Sequence, residues 1–330
     1  MARRSPIVIG IAVVGVIALG APPASATFPG PDGRIAFDAL VKTTDSFGIF
    51  TARPDGGDVR KLISIPDTLA GPDWSPDGQR IAFFTESFGE VHEPAQIHAI
   101  NADGSGVTQL TTGPGFKGFP SWSPDADSLA FQTDWDDYPA LQGIWIIPAF
   151  DPDGATQEEA RRVTTLPTGF GVDFAPQLSP DGSPIAFARF KRSERKSGIH
   201  RVGIDGTGLE RLTPWRLNAS HPDWSPDGQR IAFSSGEFGG SGGNIRVMRA
   251  DGSGRIKLTN HPRVRKREPG KVANNPVWSP SGTQIMYTRV LPKKCELVAM
   301  NPDGSGKHVV IGGQFGKRRC PNSVDWGTHL

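Results

Sequence analysis

The chain has 330 residues with 36 basic and 34 acidic side chains, a formal net charge of +2. A chain so nearly balanced offers nucleic acid no bulk electrostatic attraction. Its 41 glycines and 30 prolines punctuate it densely, and no long stretch carries a helical period, which argues against a helical fold.

Residues 1–26 read as a secretory signal peptide. Arg3 and Arg4 form a positive start, Ile7 to Gly20 is apolar, and Ala24-Ser25-Ala26 is a small-x-small cleavage site. The apolar run is too short, and too directly followed by that site, for a membrane anchor. No Cys lies near the site, which argues against a lipoprotein. The residues after the arginine pair are not those of a twin-Arg signal, so general secretion is expected. Removing the leader takes away two arginines and no acid, leaving residues 27–330 near neutral. The expected location is secreted: extracellular, periplasmic or cell-wall associated, with no membrane span once the leader is gone. In such a compartment Cys295 and Cys320, the two cysteines of the chain, are expected to pair.

The mature region is built on one repeated pattern. DWSPDGQRIAF occurs at Asp73–Phe83 and again at Asp223–Phe233. Looser copies begin at Ser121, Gln177 and Val277, and a truncated PDGRIAF begins at Pro31. Taking Asp32, Asp77, Asp125, Asp181, Asp227 and Ser281 as markers, the copies lie 45 to 56 residues apart. A second pattern interleaves with the first: IHAINADGSGVTQLT from Ile97, IRVMRADGSGRIKLT from Ile245, with turn glycines at 56, 104, 154, 206, 252 and 304. Repeats of about 40–50 residues made of short strands are the mark of a β-propeller.

Each repeat reads as one blade. In the copy near Pro72, Pro72–Ser75 is a short strand A and Ser75-Pro76-Asp77-Gly78 a β-turn. Gln79–Thr85 is strand B, Ile97–Ile100 strand C, Asn101–Gly106 a second turn, and strand D ends at Leu110-Thr111. The tryptophans at 74, 122, 224, 278 and 326, with Leu178 in the sixth slot, are expected in the core between blades. The first copy starts with strand B at Arg34. The chain finishes with an unmatched strand A, Ser323–Gly327, expected to complete the first blade and remove its exposed edge. The fold class is thus all-β, a six-bladed propeller over residues 27–330.

This pair of motifs resembles the repeats of the TolB-type six-bladed propeller. The resemblance covers nearly all of the mature chain and implies a noncatalytic role in protein interaction. The propeller begins near residue 31, so the smaller α/β domain that precedes it in TolB is expected to be absent. Similar propellers precede α/β-hydrolase domains in prolyl-oligopeptidase-like enzymes. Others are polysaccharide lyases that hold a metal with His, which supplies the alternative reading: a lyase or hydrolase using the channel face.

The chemistry-bearing residues are sparse. Gly239–Gly243 satisfies G-x-S-x-G, but between strands B and C rather than at a strand-to-helix elbow. Gly113, Gly115 and Gly118 satisfy G-x-G-x-x-G with no helix to follow. Asp-rich turns suggest calcium, yet lack the closing Glu of a cation loop, and turn chemistry explains them. His98 and His200 occupy equivalent places in two blades. His221 and His261 fall in connections entering strand A and are the two histidines to watch, although no metal-ligand spacing surrounds them. Residues entering strand A should approach the channel mouth: Gly71, Phe119, Ala175, His221 and Asn275, each followed by Pro. That set holds one His and no carboxylate, a poor start for acid–base or metal catalysis.

The preferred reading is therefore a noncatalytic monomer, with no catalytic residue, metal or cofactor expected. Its partner is a protein or a cell-envelope glycan. The A–B and C–D turns repeat almost unchanged, whereas the B–C and D–A loops vary, and variable loops on a rigid scaffold carry recognition. The expected binding face holds Trp135, Asp136, Asp137 and Tyr138, Lys191 and Arg192, His221, His261, and Arg263, Arg265, Lys266 and Arg267. Acidic and basic loops are separated around the ring, which suits a partner of mixed charge better than a polyanion.

Overall fold

The computed structural model describes residues 28–41, 47–65, 68–86, 94–134, 141–149, 160–236, 243–261, 272–292, 294–316, 321 and 323–328. They form six four-stranded antiparallel sheets. From the axis outwards, blade 1 is Val324–Thr328, Asp32–Leu40, Phe47–Ala52 and Arg60–Ser64. Blade 2 is Thr68–Trp74, Arg80–Glu86, Gln96–Asn101 and Thr108–Gln109. Blade 3 is Phe116–Trp122, Ser128–Asp134, Gly143–Pro148 and Arg161–Arg162. Blade 4 is Phe170–Leu178, Pro184–Lys191, Lys196–Gly203 and Glu210–Arg211. Blade 5 is Ala219–Trp224, Arg230–Ser235, Asn244–Arg249 and Ile256–Lys257. Blade 6 is Val272–Trp278, Ile285–Val290, Lys294–Met300 and His308–Gly316. The expected six-bladed propeller is the observed one. Among the described residues no helix is long and apolar enough to cross a membrane.

Local chemistry builds each blade. In the A–B turn of blade 2, the Asp77 carboxylate accepts from Ser75 Oγ at 2.5 Å and from Gln79 N at 3.0 Å. Blades 3, 4 and 5 repeat it with Asp125, Asp181 and Asp227. These aspartates are turn formers. Blade 6 has Ser281 in that place, and Asp32 of blade 1 accepts the Ser281 N–H at 2.9 Å. The threonine that follows strand D has an equally fixed task. Thr111, Thr164, Thr213 and Thr259 each accept, at 2.9 Å, the N–H of Ile97, Ile144, Ile199 or Ile245 in strand C of the same blade.

The core lies between blades. Trp122, Trp224, Trp278, Trp74, Trp326 and Leu178 are all buried, each packed with apolar residues of strands B such as Ile81 and Phe83. The turn glycines complete the blade contacts. Gly104, Gly206, Gly252 and Gly304 have φ between 80° and 90°. A Cβ on them would lie 2.8–3.2 Å from the carbonyls of Leu62, Val163, Leu212 and Leu258, in strand D of the preceding blade or just after it. Gly56 of blade 1 meets the Val310 carbonyl of blade 6 in the same way, so this contact also runs around the closed ring.

Closure by the C-terminal strand occurs as expected. Val324, Asp325 and Trp326 pair with Phe37, Ala36 and Ile35. One strand boundary differs from expectation. Strand A of blade 2 begins at Thr68 rather than Pro72, because the pairing continues past a bulge. Cys295 lies inside strand C of blade 6, paired with Val290.

Candidate functional site at the channel mouth

Strand A carries the same irregularity in five blades. In blade 2, Ala70 pairs with Phe84 and Asp73 with Ala82, so strand A holds one residue more than its partner. The same break separates Gly118 from Ser121, Phe174 from Gln177, Ser220 from Asp223, and Asn274 from Val277. The bulged residues are Gly71, Phe119, Ala175, His221 and Asn275, with φ between 48° and 62°. A proline follows each one. Left-handed backbone is costly for a residue with a Cβ, and a following proline restricts it further, at about 1–3 kcal/mol per strained site. Side chains of the preceding blade hold some of these bulges. Gln132 Oε1 accepts from Ala175 N, and Ser234 Oγ from Asn275 N, both at 3.0 Å.

All five bulged residues line the central channel, as expected from their place before strand A, and Ser323 fills the sixth position. The bulge also aims the next non-proline residue at the axis. This brings Asp73 and Asp223 into the channel, with Gln177 and Val277 in the equivalent places, and Asp325 joins them from the closing strand, whose register with Asp32–Leu40 is unbroken there. Position before strand A does not by itself point to these carboxylates. Their signal in the sequence is the Asp-Trp pair that recurs at 73, 223 and 325.

The three aspartates are used structurally. Asp325 accepts the N–H of Trp74, Asp73 that of Trp122, and Asp223 that of Trp278, at 2.7, 2.8 and 2.6 Å. Each bond crosses to the next blade. Burial, then the neighbouring Asp325 and Asp223, hold the Asp73 carboxyl well above the usual carboxylate range. Burial raises Asp325 to about 6.

His221 lies within strand A of blade 5, not in a connection before it, because the bulge extends the strand upstream. Its Nδ1 is 3.1 Å from Ser220 Oγ. Its ring meets Phe174 at 5.9 Å and Phe119 at 6.4 Å, both edge-on. Burial lowers its pKa to about 4, so the imidazole is neutral at physiological pH. The mouth is therefore apolar on the side of blades 3 and 4 and polar on the side of Asn275 and Ser323. At the opposite end Phe28 reaches a narrow chamber bordered by Trp74, Trp122 and Trp326. Phe28 also packs on the clusters around Trp122 and Leu178, and so forms a floor.

The other candidates are dispersed. Lys191 pairs with Glu194 at 2.5 Å on the B–C side of blade 4, and Arg192 is exposed next to it. His261 lies after strand D of blade 5, where Asn244 Oδ1 accepts its N–H at 2.7 Å. Trp135, Asp136, Asp137, Tyr138, Arg263, Arg265, Lys266, Arg267 and Cys320 lie outside the described residues. His98 and His200 have matching roles, each stacked 5.7 Å from the strand-B phenylalanine beside it. In the G-x-G-x-x-G segment the carbonyls of Gly113 and Pro114 accept from Lys117 Nζ at 3.1 and 2.8 Å. That loop cradles an ammonium, not a phosphate. Among the described residues no three His, Cys, Asp or Glu side chains are grouped to hold a metal ion.

The model of the TolB β-propeller domain matches residues 155–324. The chain belongs to the TolB β-propeller family. Solved structures extend this likeness over the whole ring. TolB from Acinetobacter baumannii aligns with a TM-score of 0.70 at 22% identity, over 90% of this chain and 67% of that one. A putative TolB from Agrobacterium tumefaciens aligns with 0.63 at 21%, over 89% and 93%. An oligogalacturonate lyase in complex with manganese aligns with 0.53 at 16%, over 86% and 75%. At these identities the likeness concerns the fold. No curated protein matches the chain significantly.

Proposed function

We propose that this TolB-family propeller is an exported, noncatalytic interaction module whose protein partner docks over the channel mouth, on the face of the B–C and D–A loops. The observation that carries the reading is the five-fold bulge. Strained backbone persists where surrounding structure over-determines it, and here it recurs at one level of the channel. The effect is a rigid rim of Phe119, His221 and Asn275 around a pit floored by Phe28. A preformed concave site with an apolar side and a few polar groups suits an inserted segment of a partner. The channel carboxylates are already engaged by backbone N–H groups, which favours binding over acid–base work. Export is supported by the leader-like residues 1–26, and a Cys295–Cys320 bond by the absence of a free cysteine among the described residues.

The test is comparative capture from cell-envelope and extracellular extracts by the mature chain. Phe119→Ala with His221→Ala should lose the captured protein. Asp77→Asn with Asp181→Asn, on the opposite face, should keep it. Normal capture by the first variant together with loss by the second overturns the proposal. So does stoichiometric bound metal that disappears with His221→Ala.

A further inference from the structure

The sector of the binding face at blades 4 and 5 departs from the repeat in one consistent way. The B–C connection of blade 4 is a tight hairpin closed by the Lys191–Lys196 pair, and it reads Lys-Arg-Ser-Glu-Arg-Lys. Its one acid is consumed internally. Glu194 is 2.5 Å from Lys191 Nζ and 3.7 Å from Lys196 Nζ, and the Lys191 hydrogen bond pulls its pKa down. Arg192 and Arg195 are exposed on the hairpin.

Beside this hairpin the D–A connection makes a 3-10 turn, Trp215–Leu217, the one helical element among the described residues. Trp215 lies on Gly198, where a Cβ would come within 3.3 Å of its ring. Phe170 at 6.0 Å and His200 at 5.5 Å flank the indole. The Arg211 guanidinium is 5.1 Å from the ring centroid and the Lys191 ammonium 6.0 Å. Arg216, on the same turn, is exposed. Three chain segments thus gather basic groups around one half-buried indole. Of the described acids in this blade, Glu210 bonds Arg201 at 2.9 Å and Asp173 bonds Arg189 at 2.6 Å.

We propose that this sector is a docking site for an acidic protein segment, an extended run of Asp and Glu with an apolar side chain against Trp215. The inference rests on the face assignment made above. Arginine forks match carboxylates in a plane, and presenting them from a pinned hairpin reduces the ordering cost of binding. Gathering like charge on one sector carries a repulsive cost that an anionic partner removes. The indole is occupied by Gly198 and the two cations, so its exposed part suits an apolar side chain better than a stacked sugar ring.

The experiment is fluorescence anisotropy with a labelled polyglutamate peptide and the full mature chain. Arg195→Glu and Arg216→Glu combined should weaken binding at least about tenfold, as about 1.4 kcal/mol implies. A peptide of the same glutamates around one leucine should bind more tightly than polyglutamate, a gain that Trp215→Ala removes and Trp215→Phe keeps. The charge-reversed variant is confined to exposed side chains, so it decides the matter even if Trp215→Ala fails to fold. Unchanged binding by that variant overturns the inference, as does displacement by polygalacturonate at lower concentration than by unlabelled polyglutamate. A protein that captures its partner through the channel mouth and ignores polyglutamate overturns this inference alone. One that binds polyglutamate through this sector but captures its partner by the opposite face keeps it and overturns the docking face.

Discussion

The Oδ2 atom of Asp73 accepts the backbone N–H of Trp122 at 2.8 Å, across the boundary between blades 2 and 3. Asp73 and Asp325 both bind protons more readily in the folded chain than in the unfolded one. The folded state therefore holds extra protons between the unfolded value of 3.8 and the folded one, about 6 for Asp325. That stability is complete below the lower value and is lost as pH rises through about 6. Two pK units correspond to about 3 kcal/mol at most. Thermal melts from pH 5 to 8 should show a falling midpoint. Asp73→Asn keeps a carbonyl for Trp122 and removes the repulsion, so it should flatten the profile and raise the midpoint at pH 8. A variant less stable than wild type at pH 8 would show that the carboxylate is needed ionised.

Two glycines separate backbone conformation from blade contact. Gly208 has φ of 66° and open space within 4 Å of where a Cβ would stand, so Gly208→Ala should cost about 1 kcal/mol. Gly56 has φ of 80° and in addition abuts the Val310 carbonyl of blade 6. Gly56→Ala should cost about 2 kcal/mol more, the scale of overpacking. Equal losses in urea denaturation would dismiss the blade 6 to blade 1 contact.

Phe28 is only partly buried, so Phe28→Ala should cost less than a full core truncation, about 1–2 kcal/mol. It should also open the chamber bordered by Trp74, Trp122 and Trp326. Acrylamide quenching of tryptophan fluorescence should rise. Quenching equal to wild type would mean that Phe28 is not the floor.

Removing residues 323–330 should strip strand A from blade 1, leaving the N–H of Trp74 without Asp325 and the Asp38 carboxylate without Ser323 N. The whole ring should then lose its cooperative melt. A truncated chain that melts like the full one would show that closure adds no stability.

A bond between Cys295 and Cys320 would tie strand C of blade 6 to the approach of the closing strand, worth roughly 3–4 kcal/mol in the chain-entropy model. Thiol titration of the unreduced, denatured protein should find none. Two titrating thiols would refute the pairing.

The sequence by itself determined the blade count, the shared first blade and the tryptophan slot. Those features are written in local turn chemistry and in strand alternation, repeated every 45 to 56 residues. It also placed Phe119 and His221 at the channel, because position before strand A sets proximity to the axis. The facing of Asp73 and Asp223 was decided by tertiary structure. One extra residue in strand A exchanges the faces of the residues after it, and alternation alone does not register the exchange. The same holds for the floor at Phe28 and the basic setting of Trp215. Neither repeats along the chain: Phe28 meets residues of several blades, and the strands of blade 4 bring Phe170, Lys191 and Arg211 to Trp215 only when they pair.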